Sequence, residues 1–299
     1  MNSVFKIAAV SIAVGVLVLA CKLAAAEVSG STALFSDALE SIVNILSSGI
    51  ALYALHIGAK PADDTHQYGH AKAELISAVA TGAMILVAAL VIFQRAGMEI
   101  LHPKPLLKLV GGLGLGLVLN AFAGVFNLLW ALYLQHTARR ARSPALAADA
   151  QHLFSDVLTT IGVLVAMLAA GLLGWPVLDP LVALVIAGQI TWMGSKTIMA
   201  SISGLLDEAP PPDVTARMEE MVREHGAGAI EAHDFRMRQA GRSSFLEFHL
   251  VVPGRMSVDE AHEICDRIER AMKQELPGVV ITIHVEPESK AKHEGILVR

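Results

Sequence analysis

The sequence predicts an all-α membrane domain of six spanning helices followed by a small α+β domain. Three observations predict it: an excess of apolar residues, six runs long enough to cross a bilayer, and an abrupt change of composition after Asp207. Of 299 residues, 54% are hydrophobic and only 17% charged, against about 25% charged in an ordinary soluble domain. Aromatics are scarce, and Leu, Ala, Val and Ile make up the apolar mass, which suits helices in lipid better than β-sandwiches. The net charge of −5 argues against a nucleic-acid partner. Cys21 lies in an apolar run and Cys265 in a polar one, with no CxxC pattern, which argues against a stapling disulfide.

The six runs extend from Phe5 to Ala26, Ala33 to Leu55, Leu75 to Phe93, Leu106 to Leu134, Leu146 to Leu173 and Leu181 to Ser201. Each reaches the roughly 20 residues that a spanning helix needs. The first is too long for a signal-peptide core and is followed by more of its kind, so it reads as a span. The fourth opens with Gly111, Gly112, Gly114 and Gly116, which allow close helix packing. Lys6, Lys60, Lys72, Arg139, Arg140 and Arg142 outweigh Arg95, Lys104 and Lys108, so the loops favour both termini in the cytoplasm. The short N-terminus without a targeting pattern fits a bacterial inner membrane. Lys22 and Lys196 stand near helix ends, where long side chains can snorkel, and need no functional role.

Pro210, Pro211 and Pro212 break the chain after residue 207, dividing it into 1–207 and 208–299. Asp213 to Glu224 reads as a helix, and Ile230 to Arg238 and Ser244 to Val252 alternate as strands. Ser257-Val-Asp-Glu260 is a capping box that opens a helix to about Glu275. Val279 to Val285 alternates again, completing the order αββαβ, with helices on one face of a sheet.

Ionisable residues inside apolar spans carry the chemistry, because a carboxylate at the bilayer centre costs about 2.5–3.5 kcal/mol and is rarely idle. The second span carries Asp37, with Glu40 and Ser41 one turn on, and the fifth carries His152 and Asp156 on one face at i, i+4 spacing. Leu34-Phe35-Ser36-Asp37-Ala38-Leu39 echoes Leu153-Phe154-Ser155-Asp156-Val157-Leu158, in spans that cross in opposite directions. Carboxylates with an imidazole suit Zn2+; a proton relay or a hydrogen-bond cluster without metal is the alternative. A second group, Asp63, His66 and His70, lies in the loop Lys60-Pro-Ala-Asp-Asp-Thr-His-Gln-Tyr-Gly-His70. A third is spread over the last domain: His233, His249 and His284 on strands and His262 on a helix. Glu247 and His249, like Thr282, His284 and Glu286, share strand faces opposite the apolar residues.

Ser-Gly-Ser-Thr-Ala before Asp37, the loop Pro-Ala-Asp-Asp-x-His-x-x-Gly-His, and Ala148-Asp149 before His152-xxx-Asp156 resemble the cation diffusion facilitators over nearly the whole chain. The resemblance implies a homodimeric, proton-coupled exporter of divalent metal with a cytoplasmic domain of ferredoxin-like fold, and no enzymatic activity. Carried over, the transport site is Asp37, Ser41, His152 and Asp156; the loop site is Asp63, His66 and His70; the cytoplasmic sites are His233, His249 and His284, with Glu286 and His262. Lys72 and Asp207 match an inter-subunit charge interlock. Ser41 stands where the family usually has Asp, leaving Glu40, Asn44 or a water to complete the shell. Zn2+ is the expected cargo and regulatory ion, with Fe2+, Cd2+ or Co2+ as alternatives; Ser41 also leaves room for a Mn2+ or Fe2+ exporter. A metal-selective channel and a non-transporting metal-sensing scaffold are the rival readings. An intramembrane metalloprotease would need His-Glu-x-x-His, and the sequence has none.

Overall fold

The computed structural model describes residues 2–102, 111–141, 144–240, 243–276, 278–292 and 295–298, with the side chains of 2–9, 138–141, 144–149, 151, 152 and 243 excluded. It divides into two compact units, one of residues 1–51 and 80–198 and the other of residues 52–79 and 199–299. Six long helices carry the apolar runs: α1 (Asn2–Ser29), α2 (Thr32–Gly58), α3 (Ala73–Leu101), α4 (Gly112–Ala141), α5 (Pro144–Leu173) and α6 (Leu178–Leu205). The predicted start of the fourth span at Leu106, with Lys104, Lys108 and Arg142, lies outside the described residues, as do the side chains of Lys6, Arg139 and Arg140.

Within the first unit, α4 packs mainly on α5 and α1. Gly116 explains the close approach to α1, since a Cβ there would lie 2.8 Å from the Ala25 carbonyl oxygen and 2.7 Å from Ser29 Cβ. Val118, Phe122, Val125 and Leu129, spaced at helical periodicity along α4, point outward. Such a stripe is stable against lipid and not against water. The break between α1 and α2 falls at Gly30, in the left-handed region at φ 66°. The open N-terminus of α2 is capped from another helix. Asp179 of α6 accepts hydrogen bonds from Thr32 N (3.0 Å), Ala33 N (2.8 Å) and Ser31 Oγ (2.8 Å). Those amides are the orphan donors of a first helical turn, which explains why a buried carboxylate is retained there.

In the second unit, α7 (Pro212–His225), β1 (Glu231–Ala240), β2 (Ser243–Val252), α8 (Val258–Glu275) and β3 (Val279–Pro287) follow the predicted order αββαβ. A short β4 (Ile296–Leu297), too brief to leave an alternation in the sequence, adds to the edge, giving the order β3-β2-β1-β4. β1 is antiparallel to β2 and β4, and β2 is parallel to β3. Ser257 caps α8 with both halves of the capping box formed with Glu260. Met218, Met221 and Val222 of α7 and Ile264, Ile268 and Met272 of α8 form one core with Leu246, Phe248 and Leu250 of β2. The helices therefore cover one sheet face, and every second residue of β2 and β3 is presented on the other.

Candidate metal centres

Three of the histidines occupy that other face in a row. His233 of β1 pairs in register with His249 of β2, which pairs with His284 of β3. Ring centroids are 5.4 Å and 4.9 Å apart along the row. Glu286 reaches in beside them: its carboxylate lies 3.3 Å from His233 Nε2, 3.3 Å from His249 Nδ1 and 3.8 Å from His284 Nε2. The first two contacts fall short of hydrogen-bond geometry, leaving His233 Nε2 and His249 Nδ1 buried without a hydrogen-bond partner. Buried ring nitrogens normally find one. Spacings near 3.3 Å match the edge of a tetrahedron of ligands about 2.0 Å from Zn2+, so nitrogen and carboxylate donors fit a metal ion here.

Asp234 completes this group with His233 and His249. A bulge between His233 and Arg236 turns Asp234 to φ 55°, which Asp tolerates better than most residues. Lys292 Nζ bonds it at 2.6 Å and holds its carboxyl below the ordinary value. Behind the row, buried Glu231 accepts from His233 Nδ1 at 2.9 Å and from Lys292 N at 3.2 Å. Neither Asp234 nor Glu231 was anticipated from the sequence. His262 is not brought to the row: its side chain is 74% exposed on α8 and faces Asp266 at 3.7 Å. Since α8 covers the opposite face of the sheet, the sheet separates His262 from the other histidines.

The loop residues Asp63, His66 and His70 do come together. Asp63 Oδ1 accepts from Thr65 N, Thr65 Oγ1 and His66 N at 2.9, 2.7 and 2.7 Å, an Asx turn that winds the loop back. The Thr65 hydroxyl and the His66 amide hold this carboxyl down to about 2. Gly69, at φ 80°, returns the chain so that His70 Nε2 lies 3.4 Å from the other Asp63 oxygen. His70 Nδ1 is buried without a hydrogen-bond partner. Tyr68 meets the Phe245 ring edge-on at 5.8 Å, and Arg238 stacks on Phe245 at 4.2 Å, so the loop is seated on the β1–β2 hairpin. The interlock pair is present within the single chain: Lys72 Nζ lies 2.9 Å from Asp207 Oδ1, which also meets Arg238 at 3.3 Å. Lys72 holds the Asp207 carboxyl below its ordinary value.

In the membrane helices the arrangement departs from expectation. Asp37 does not stand open toward α5. Its Oδ1 is bonded by Lys22 Nζ of α1 at 2.8 Å, and Thr160 Oγ1 of α5 approaches both of its oxygens at 3.4 and 3.3 Å. Lys22 therefore does not snorkel to an interface; it is 1% exposed and paired inside the helix bundle. Lys196, by contrast, lies over the Trp192 ring at 5.3 Å, as a peripheral lysine would. Ser41 donates its hydroxyl to the Asp37 carbonyl oxygen at 3.1 Å, a backbone tie within its own helix. Asn44 of α2 meets Asp156, with Nδ2 3.4 and 3.3 Å from the two carboxylate oxygens. Glu40, one turn before Asn44, feels the charges of Asp156, Asp37 and Lys22. His152 stands one turn before Asp156 on α5, and its side chain lies outside the described residues.

The family model for the cation efflux transmembrane domain matches residues 8–206, and that for the cation efflux protein cytoplasmic domain matches residues 210–288. The chain belongs to the cation diffusion facilitator family. It is a cation efflux transporter, an integral membrane protein of six spans, and not an enzyme. An uncharacterized transporter of Synechocystis sp. is 38% identical over 94% of this facilitator and 89% of the relative. The cation-efflux pump FieF of Escherichia fergusonii is 31% identical over 98% of this facilitator and 95% of the pump. Among solved structures, the zinc form of CzrB, a candidate zinc transporter, is 50% identical over 29% of the facilitator and 98% of that chain, with a TM-score of 0.28. The metal-bound C-terminal domain of CzcD from Thermotoga maritima is 30% identical over 27% of the facilitator and 93% of that chain, with a TM-score of 0.25.

Proposed function

We propose that the protein exports a divalent transition metal, Zn2+ foremost, from the cytoplasm in exchange for protons, using Glu40, Asn44, His152 and Asp156 as its transport site. The observation that carries this reading is the apposition of Asn44 to Asp156 across α2 and α5, with an i, i+4 pair on each helix. The set supplies two carboxylates, an amide oxygen and an imidazole. Its two negative charges balance a divalent cation, and its donors suit tetrahedral Zn2+. Ions coordinate to ionised carboxylates and neutral imidazole, so protons compete with metal for the same lone pairs. Release on the far side and proton uptake are then one exchange, with α2 and α5 presenting the site alternately to each side.

Both termini and the domain of residues 208–299 lie in the cytoplasm of a bacterial-type inner membrane in this reading, and the functional unit is a homodimer. His233, His249, Asp234 and Glu286, with His284 at the rim, would hold a resident metal ion that neutralises their charge and stiffens the sheet face. The orphaned nitrogens of His233 and His249 support this assignment. Asp63, His66 and His70 form a second candidate site, on the loop seated against the hairpin.

The test is metal uptake into proteoliposomes, comparing Zn2+, Fe2+, Mn2+ and Cd2+ with and without an imposed pH gradient. Gradient-driven Zn2+ flux that Asp156→Ala abolishes is expected. Flux indifferent to the gradient would favour a channel, and flux retained by Asp156→Ala would overturn the site. Preference for Mn2+ or Fe2+ would keep the antiport and point to the oxygen of Asn44 as the reason.

A further inference from the structure

Lys22 is the one charged residue of α1 that the described structure buries, and the export reaction proposed above assigns it nothing. Its ammonium and the Asp37 carboxylate meet at 2.8 Å with side chains 1% and 2% exposed. Removing two such charges from water is unfavourable, and a pair of this kind often stabilises no better than apolar residues of the same size. Its position is therefore informative. Asp37, Glu40 and Asn44 follow one another at i, i+3 and i+7 on one face of α2. The charges bearing on Glu40 include both members of the pair together with Asp156. The pair thus borders the proposed transport site.

Resting on that site assignment, we propose that Lys22 is a specificity-determining positioning residue: a tethered cation that withholds Asp37 from the metal and sets the charge of the site to that of a divalent ion. Three carboxylates, Asp37, Glu40 and Asp156, cluster between α2 and α5, a formal charge of −3. Lys22 brings the sum to −2. A divalent ion then enters a site it neutralises, and leaves without abandoning a surplus carboxylate. The Thr160 hydroxyl, beside both Asp37 oxygens, holds the carboxylate toward Lys22 from the α5 side. This arrangement accounts for why a carboxylate so near the site has Lys22 as its charge partner.

The two single substitutions therefore act in opposite directions. In K22M the unpaired Asp37 adds a negative charge, so Zn2+ is held more tightly and released more slowly, and KM and kcat fall together. In D37N the unpaired ammonium repels the ion and KM rises. One unit charge at this range is worth on the order of tenfold in KM. K22M/D37N removes both charges and returns KM toward the wild-type value, and K22R keeps it. A pair that only braced α1 against α2 would lower folded yield in both single variants without moving KM in opposite senses.

The experiment is Zn2+ flux in proteoliposomes of the full-length chain over a range of Zn2+ concentrations, for K22M, D37N, K22M/D37N, K22R and D156A. Opposite KM shifts in the singles with recovery in the double are expected. Shifts in the same direction, or a double variant no closer to wild type than the singles, would overturn the proposal. Should K22M not fold, D37N against K22M/D37N decides: KM must fall from the first to the second. D156A separates the two readings. Loss of flux in D156A with no opposing shifts overturns the role of Lys22 alone, whereas flux surviving in D156A overturns the transport site on which it rests.

Discussion

Replacing Glu231 by Gln tests whether the histidine row is a metal site, because Glu231 holds the His233 ring from the side away from the row. Glu231 Oε1 accepts from His233 Nδ1 at 2.9 Å. That bond places the ring proton on Nδ1 and leaves the Nε2 lone pair directed toward the row, where Glu286 stands 3.3 Å away. The Gln oxygen can still accept from Nδ1 and from Lys292 N, so the geometry survives and only the charge is lost. A hydrogen bond to a charged group contributes about 1.5–3 kcal/mol and a neutral one about 0.5–1.5. The midpoints differ by about 1.2 kcal/mol, which corresponds to roughly eightfold in metal affinity. Glu231→Ala, which removes the acceptor altogether, should weaken binding by about a hundredfold, the upper end for partners behind a metal ligand. The assay is chelator competition for Zn2+ on full-length protein in detergent, in an Asp156→Ala/His70→Ala background that silences the membrane and loop sites. An affinity unchanged in Glu231→Gln, while His249→Ala loses it, would refute the reasoning: His233 would then not be a ligand oriented by Glu231.

Further outcomes can be measured independently. The Asp63 carboxyl, held down to about 2 from an ordinary 3.8, is lower in the folded loop than in the unfolded chain. Its contribution to loop order is therefore complete above the ordinary value and is lost as pH falls through about 2. Thr65→Val removes the hydroxyl donor and should move the Asp63 titration, followed by NMR of the metal-free protein, upward toward 3.8; no movement would discount the hydroxyl bond as the cause. Gly116→Val should destabilise the protein by about 1–3 kcal/mol in a thermal melt in detergent, because the new Cβ meets the Ala25 carbonyl oxygen and the Ser29 Cβ, both fixed by the α1 backbone. Ser257→Ala should destabilise the C-terminal domain by about 1 kcal/mol in a urea melt, since it removes one partner of the capping box. Arg217→Ala, which breaks an exposed pair with Glu275 that water and salt screen, should leave that melt essentially unchanged.

Much of the candidate chemistry was legible because it is written in local patterns. The His249 and His284 faces followed from period-two alternation against Leu246, Phe248, Leu250, Ile281 and Ile283. Asp63, His66 and His70 were found through a short loop whose turn residues, Thr65 and Gly69, bring them back on one another. Asp234 was missed because a bulge turns it toward the row, and strand alternation has no symbol for a bulge. His262 was overcounted because residue type alone does not say that α8 lies on the far side of the sheet from the row. Glu231 had one available signal, a carboxylate two residues before His233 on a strand and hence on the same face.

The sequence by itself determined six spans, the αββαβ order, the capping box of α8 and the residues able to bind metal, because bilayer thickness and the helix and strand periods act on neighbours along the chain. Which of Asp37, Glu40, Ser41 and Asn44 meets Asp156, and whether Lys22 reaches the membrane surface or a carboxylate, was decided by tertiary structure alone. All four α2 residues lie within two turns, so a rotation of the helix about its axis exchanges one for another without changing its hydrophobic pattern. That rotation is set by where small residues let neighbours approach, as Gly116 does for α1 and Gly124 for Thr160 of α5, and by Asp179 reaching across from α6 to cap α2. These contacts join residues far apart in the chain, and the partner of a buried charge is chosen there.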